Sequence, residues 1–272
     1  RTFRRKKDAE ELSCGFEDHK KDVLLDEVSR QFIEDYEFWL KTEKKCCHNT
    51  ATKYLKNFKK IIRIALAKGW MKNDPFLEIR FSLDKVEPDF LEDSEIQKLI
   101  SKEIDIPRLS QVRDIFVFCC FTGLAFSDIH GLRKEHIVED SNGVRWIRKG
   151  RQKTKIMCNI PLMEIPLKIL EKYSTNEYCK KHGVLFPVLC NQKMNAYLKE
   201  LADICGIKKT LTTHVGRHTF ATFALANGVS IESVAKMLGH TNVQMTRHYA
   251  RVLDRTVIRE MSQIKMDFHI SI

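Results

Sequence analysis

The chain has 272 residues, 43% hydrophobic and 31% charged, and its 47 Lys and Arg against 36 Asp and Glu give a formal net charge of +11. That length corresponds to about two ordinary domains, and the low counts of 11 Gly and 6 Pro exclude a collagen-like chain or long disordered tracts. No run approaches the ~18 apolar residues of a membrane span, no apolar signal-peptide segment follows the basic start RTFRRKKDAEE, and the basic surplus calls for a polyanionic partner.

In chain order, residues 1–18 carry mixed charge without a period and read as a leader. The absent initiator Met points to a fragment or a processed product. From Asp26 to Leu40 the apolar residues Val28, Phe32, Tyr36 and Trp39 recur at helical steps. Asn49-Thr50 offers an N-cap for a second helix running to about Lys68 and closed by Gly69, with Tyr54, Leu55, Phe58, Ile61, Ile62, Ala65 and Leu66 on its core face. Asn73-Asp74-Pro75 reads as a turn and helix restart. An irregular linker centred on Lys85–Asp89 places the domain boundary, giving domains at 19–87 and 88–272.

Beyond it, Glu92-Asp93-Ser94 caps a helix through Ile100, and residues 108–122 form a strongly apolar helix ended by Thr122-Gly123. A short helix follows at Ser127–Leu132. VRWIR and KIMCNIP are β-leaning runs and read as an antiparallel hairpin around the basic stretch KGRQKTK. Helical patterns then dominate, broken at Gly183, Gly206, Gly228 and Gly239. The predicted fold class is mainly α with a small antiparallel β-sheet. The nine cysteines are odd in number and include the adjacent pairs Cys46–Cys47 and Cys119–Cys120, but no C-x-x-C. They read as reduced thiols of a cytoplasmic, nucleoid-associated protein rather than a disulfide framework.

Two features carry chemistry. From Lys44 to Lys72 there are nine Lys or Arg and no Asp or Glu, and Lys53, Lys56, Lys60 and Arg63 share one face of the second helix. Such a face has the geometry to follow phosphates. Near the C-terminus, His214-Val215-Gly216-Arg217 sets His and Arg one turn apart, Leu238-Gly239-His240 follows, and Tyr249 stands nine residues further on. An arginine fork binds phosphate, two histidines donate to it or move protons, and a tyrosine hydroxyl is a possible covalent nucleophile. His214 and His218 also have zinc-ligand spacing, but no Glu or Cys lies nearby in sequence, so no metal is expected.

The run THVGRHTFATFALANGVSIESVAKMLGHTNVQMTRHYARV resembles the C-terminal signature of the tyrosine recombinases, the integrases of phages and conjugative transposons: H-x-x-R, then L-G-H, then the nucleophilic tyrosine. TGLAFSDIHGL and RQKTKIMCNIPL resemble further stretches of that family, and residues 19–87 resemble its helical core-binding domain. The resemblance implies a two-domain architecture and cofactor-free, metal-free strand transfer through a 3′-phosphotyrosyl intermediate on double-stranded attachment sites. It implies a homotetramer on synapsed DNA, with accessory DNA-bending proteins as further partners, and integration or excision of a mobile element. Tyr249 would attack, Arg217, His214 and His240 would bind the phosphoryl oxygens, and Lys153 would protonate the leaving oxygen.

One position departs from the family: its first arginine is Ala125 here, while the acidic position Asp128 is kept. Either the chain is a degraded, DNA-binding-only regulator, or another cation substitutes. Arg151, two residues before Lys153, is the substitute on the same face if the strand is regular; otherwise it contacts the DNA backbone. A type IB topoisomerase is a more distant alternative. The tail from Leu253 has apolar residues at helical spacing and is expected to dock on a neighbouring protomer. RTFRRKKDAEE reads as the remnant of a linker from an arm-binding domain.

Overall fold

Periodic apolar side chains build the first unit from two helices. α1 (Arg30–Thr42) is capped by Ser29, whose hydroxyl accepts the Phe32 N–H at 3.2 Å, and follows a short 3-10 turn at Leu25–Glu27. α2 (His48–Ala67) lies against it, and Tyr36, Leu40, Leu55, Phe58, Ile62 and Phe76 are buried between them. Phe58 meets Tyr36 and Phe76 edge-on, with ring centroids 6.1 and 5.5 Å apart, a favoured aromatic geometry. The computed structural model describes residues 23–249, and the chain divides after Glu87 into two compact units. The leader and the C-terminal tail lie outside the described residues.

Three expectations for this unit are corrected. Cys47, not Asn49, is the N-cap of α2. Asn49 instead clamps the later segment, its amide donating to the Asp84 carbonyl at 2.9 Å and its Oδ1 accepting the Asp84 N–H at 2.8 Å. Ile61, assigned to the core face, is 41% exposed, because the buried stripe of Leu55, Phe58, Ile62 and Ala65 already fills the side facing α1. No helix restarts at Pro75; the Asp74 carboxylate accepts the Phe76 N–H at 2.9 Å and closes a turn.

In the second unit, α3 (Asp93–Ser101) begins with a capping box between Glu92 and Glu95. α4 (Pro107–Thr122) starts with polar and charged side chains, and its apolar run at 115–120 is buried on all sides at the centre of the larger core. α5 (Phe126–His130) leads through a 3-10 turn to the sheet, β1 (Ile137–Glu139), β2 (Arg145–Gly150) and β3 (Met157–Pro161), antiparallel in the order β1-β2-β3. Ile147 pairs with Ile137 and Ile160 and faces the core with Cys158. β1 was not legible in the sequence: three residues are too few to show alternation.

Six helices complete the unit: α6 (Glu164–Tyr173), α7 (Glu177–His182), α8 (Asn191–Ile204), α9 (Thr213–Ala226), α10 (Ile231–Leu238) and α11 (Gln244–Arg247). α9 packs along α4. Eight described cysteines are free, and burial pushes the thiol of Cys119 up to about 12 and that of Cys158 up to about 11, so both stay protonated. No helix among the described residues is long and apolar enough to cross a membrane.

Gly123 ends α4 at φ 67°, and a Cβ there would stand 2.4 Å from Phe220 Cδ1 and 2.7 Å from Leu238 Cδ2. Gly123→Ala therefore combines left-handed strain with overpacking. It is expected to destabilise the fold by about 2–4 kcal/mol, read as a lowered denaturant midpoint at unchanged m-value.

Candidate active site

Arg217 is the centre of the site. Its side chain leaves α9 for the interior, and the residue is 2% exposed. One terminal nitrogen donates to the Gly123 carbonyl at 2.7 Å; the other donates to the Leu238 carbonyl at 2.7 Å and to His240 Nε2 at 3.0 Å. Gly123 and Leu238 stand at the C-terminal ends of α4 and α10, so two helix ends turn their carbonyls and their negative dipole poles onto one guanidinium.

The contact with Arg217 fixes the state of His240. A guanidinium nitrogen can only donate, so Nε2 holds a lone pair and the ring proton is on Nδ1. Nδ1 lies 2.8 Å from Thr246 Oγ1 and donates to it. Burial first, then Arg217 and Arg151, pushes the His240 pKa down to about 4.

Tyr249 follows α11 and is 8% exposed, its N–H donating to the Thr246 carbonyl at 2.9 Å. Its ring is stacked on His240 at 6.0 Å and 14°, and lies 5.0 Å from His218. The nearby Tyr249 phenol raises the arginine's pKa, against the lowering by burial and by Arg151. His214 sits at the exposed start of α9, 4.4 Å edge-on from His218. Desolvation, Arg217 and Arg151 lower its pKa. No group of three metal-binding side chains occurs among the described residues.

Arg151 reaches the cluster from the hairpin. The regular strand stops at Gly150, so Arg151 and Lys153 lie in the connecting turn and not on one strand face as the sequence predicted. The turn is closed by Arg151 N–H to Ile156 O and Lys155 N–H to Arg151 O, both 2.8 Å. Asp128, 2% exposed, holds it: Oδ1 accepts the Gln152 N–H at 2.8 Å, and Oδ2 lies 3.5 Å from Arg151 Nε. That Nε is buried and completes no hydrogen bond among the described residues. The arginine stem passes under Gly239 at φ 61°, where an added Cβ would stand 2.7 Å from Arg151 Cδ and from Cys158 Sγ.

The structure thus brings Tyr249, Arg217, His240, His214, Arg151 and Asp128 together. Lys153 is exposed in the turn. Lys53, Lys60 and Arg63 are exposed on α2 of the other unit, and half-buried Lys56 lies over the Phe81 ring at 5.8 Å. Sequence reasoning missed Thr246, the two carbonyls on Arg217 and the place of His218 beside Tyr249. Thr246 carried a usable signal, being three residues before the tyrosine in a helical segment. The carbonyls carried none, since any residue supplies one.

Residues 89–256 match the Phage integrase family, and residues 1–82 match the Phage integrase SAM-like domain. A tyrosine recombinase of Pseudothermotoga lettingae is 30% identical over 86% of this chain and 82% of its own length; the tyrosine recombinase XerD of Oceanobacillus iheyensis is 27% identical over the same shares. The fold is shared with a lambda integrase dimer bound to a COC′ core site (TM-score 0.72, 16% identity, 96% of this chain and 90% of that one). It is also shared with the Tn1549 transposon integrase in complex with transposon right end DNA (TM-score 0.70, 18% identity, 96% and 93%). The chain belongs to the phage integrase family of tyrosine recombinases, and it is an enzyme of site-specific DNA recombination.

His240 gives the site a pH dependence. The unfolded chain takes up a proton on this ring below its ordinary pKa of 6.5, the folded chain only near 4. Stability is therefore flat above that window and falls as pH drops from 6.5 to about 4. Urea midpoints measured at about pH 7.5 and 5 should show this fall, with a shallower fall in His240→Asn.

Proposed function

We propose that this recombinase cuts and rejoins double-stranded DNA through a 3′-phosphotyrosyl link made by Tyr249, within a homotetramer on two synapsed duplexes, to integrate or excise a mobile element. The observation that carries this reading is the Tyr249 ring stacked on His240, which is itself held by Arg217 of the same chain. Tyr249 Oη attacks the scissile phosphorus, and the bond to the 5′-oxygen breaks. His214, open to solvent and with a lowered pKa, takes the phenol proton. Lys153, in the same turn as Arg151, protonates the leaving 5′-oxygen. Arg217 and His240 hold the phosphoryl oxygens. The new 5′-hydroxyl reverses the step on the partner duplex, so the bond energy is kept in the covalent link.

Arg151 supplies the charge missing at Ala125. Its charge acts on Arg217, His214 and His240 alike. Asp128 fixes the turn that presents it. These contacts favour a working enzyme over a binding-only regulator, because a chain that only held DNA has no use for a second cation acting on Arg217, His214 and His240. The basic face of Lys53, Lys56, Lys60 and Arg63 holds the duplex. Relatives of the same fold seen with core-site and transposon-end DNA are consistent with such a partner. Accessory DNA-bending proteins fit the same picture.

Nicked suicide substrates test this directly. The parent should trap a covalent protein–DNA band, Tyr249→Phe none at equal DNA affinity, and Arg151→Ala a band formed at least ~100-fold more slowly. A band of parental intensity from Tyr249→Phe would assign the nucleophile elsewhere.

Replacing Lys53, Lys56 and Lys60 with Glu should weaken binding to any duplex. The slope of log affinity against log salt should flatten by about one unit per lost phosphate contact.

A further inference from the structure

We infer that Thr246 is a positioning residue of the strand-transfer site: it accepts the Nδ1 proton that the Arg217 contact leaves on His240, and so keeps the ring from turning, with Nε2 toward Arg217 and the phosphate. Thr246 is fully buried, at 0% exposure, in the four-residue α11. A threonine hydroxyl in such a place needs a partner, and Oγ1 stands 2.8 Å from His240 Nδ1. Across the ring, Nε2 is 3.0 Å from an Arg217 nitrogen that can only donate. The two contacts admit one arrangement. Nδ1 carries the hydrogen and gives it to Thr246, while Nε2 presents its lone pair to the guanidinium.

A second link runs through the same residue. The Thr246 carbonyl accepts the Tyr249 N–H at 2.9 Å, and the Tyr249 ring is stacked on His240 at 6.0 Å. One residue therefore ties the imidazole through its side chain and the tyrosine through its backbone. When a phosphate displaces the Arg217 nitrogen from Nε2, the ring takes a proton from solvent onto Nε2 and donates it to the phosphate oxygen. Thr246 keeps accepting from Nδ1 in both states, so the ring gains that proton without turning. The arrangement is the histidine–acceptor pairing by which one ring nitrogen is fixed so that the other can work.

The part of the inference that concerns cleavage rests on the function proposed above; the part that concerns the proton does not. The test therefore has two arms on the full chain. In the first, nitrogen-15 NMR of labelled histidine, with the His240 signal assigned by its loss in His240→Asn, reads the tautomer without DNA. The parent and Thr246→Ser should show protonated Nδ1 and bare Nε2. Thr246→Val, which keeps the branched shape and removes the hydroxyl, should show a mixture or the reverse form. In the second arm, nicked duplex reads covalent-complex formation. Thr246→Val should slow it by ~10- to 100-fold with DNA affinity unchanged within about twofold, and Thr246→Ser should recover most of the rate.

A Val variant that keeps both the tautomer and the rate overturns the inference, and so does a Ser variant as slow as Val. If Val does not fold, Thr246→Ala read against Thr246→Ser makes the same comparison. A shifted tautomer in Thr246→Val combined with no covalent band from the parent would overturn the proposed function and leave the proton assignment standing.

Discussion

A guanidinium almost wholly withdrawn from water organises the second unit. Burying an ion of this kind costs several kcal/mol unless its donors are met, and Arg217 meets them with the carbonyls that end α4 and α10 and with a histidine nitrogen. The requirement propagates outward. Each helix must stop where its last carbonyls can turn inward, and a glycine in the left-handed region follows each stop, Gly123 at φ 67° and Gly239 at φ 61°. The same two glycines make room for their neighbours, Phe220 beside one and the Arg151 stem beneath the other. The architecture and the charge are thus one design problem with one solution.

The second charge follows from the first. Arg151 and Arg217 depress the basicity of His214 and His240, and Arg151 lowers that of Arg217. Asp128 is the carboxylate that touches this group, and it is occupied by the hairpin turn. Such a site is preorganised for an anion with several oxygens, since its donors are already oriented and need no reorganisation when charge develops. The energetic burden of assembling like charges falls on the folded core around them, where the apolar run 115–120 of α4 is buried.

Much of this was readable in advance, and the parts that were not share a cause. The helices of both units followed from apolar spacing, and the order His214, Arg217, His240, Tyr249 pointed to the family before any geometry. Asp128 is legible only as the acidic position that the family keeps near Ala125; that it holds the turn carrying Arg151 is not. The failures are places where a residue does something its type alone does not announce. Asn49 has every property of an N-cap, yet it clamps a strand-like segment 35 residues later. Arg151 and Lys153 looked like alternate positions of a strand, but the strand ends one residue too early. The carbonyls that hold Arg217 belong to a glycine and a leucine, and no sequence letter marks a backbone oxygen as a ligand.

The separate cores of the two units have an optical consequence. Of the three tryptophans, Trp39 stacks on Tyr36 in the first core at 5.9 Å, and Trp70, just past α2, is already 58% exposed. Trp146 is half-buried on β2, with its indole N–H donating to Asp140 at 2.8 Å. Emission from Trp70 starts close to that of a solvated indole, so changes in the fluorescence of the whole chain belong mostly to Trp39 and Trp146, one in each unit. A chain with two cores is not bound to lose them in one cooperative step. Its intrinsic fluorescence carries a separate reporter for each.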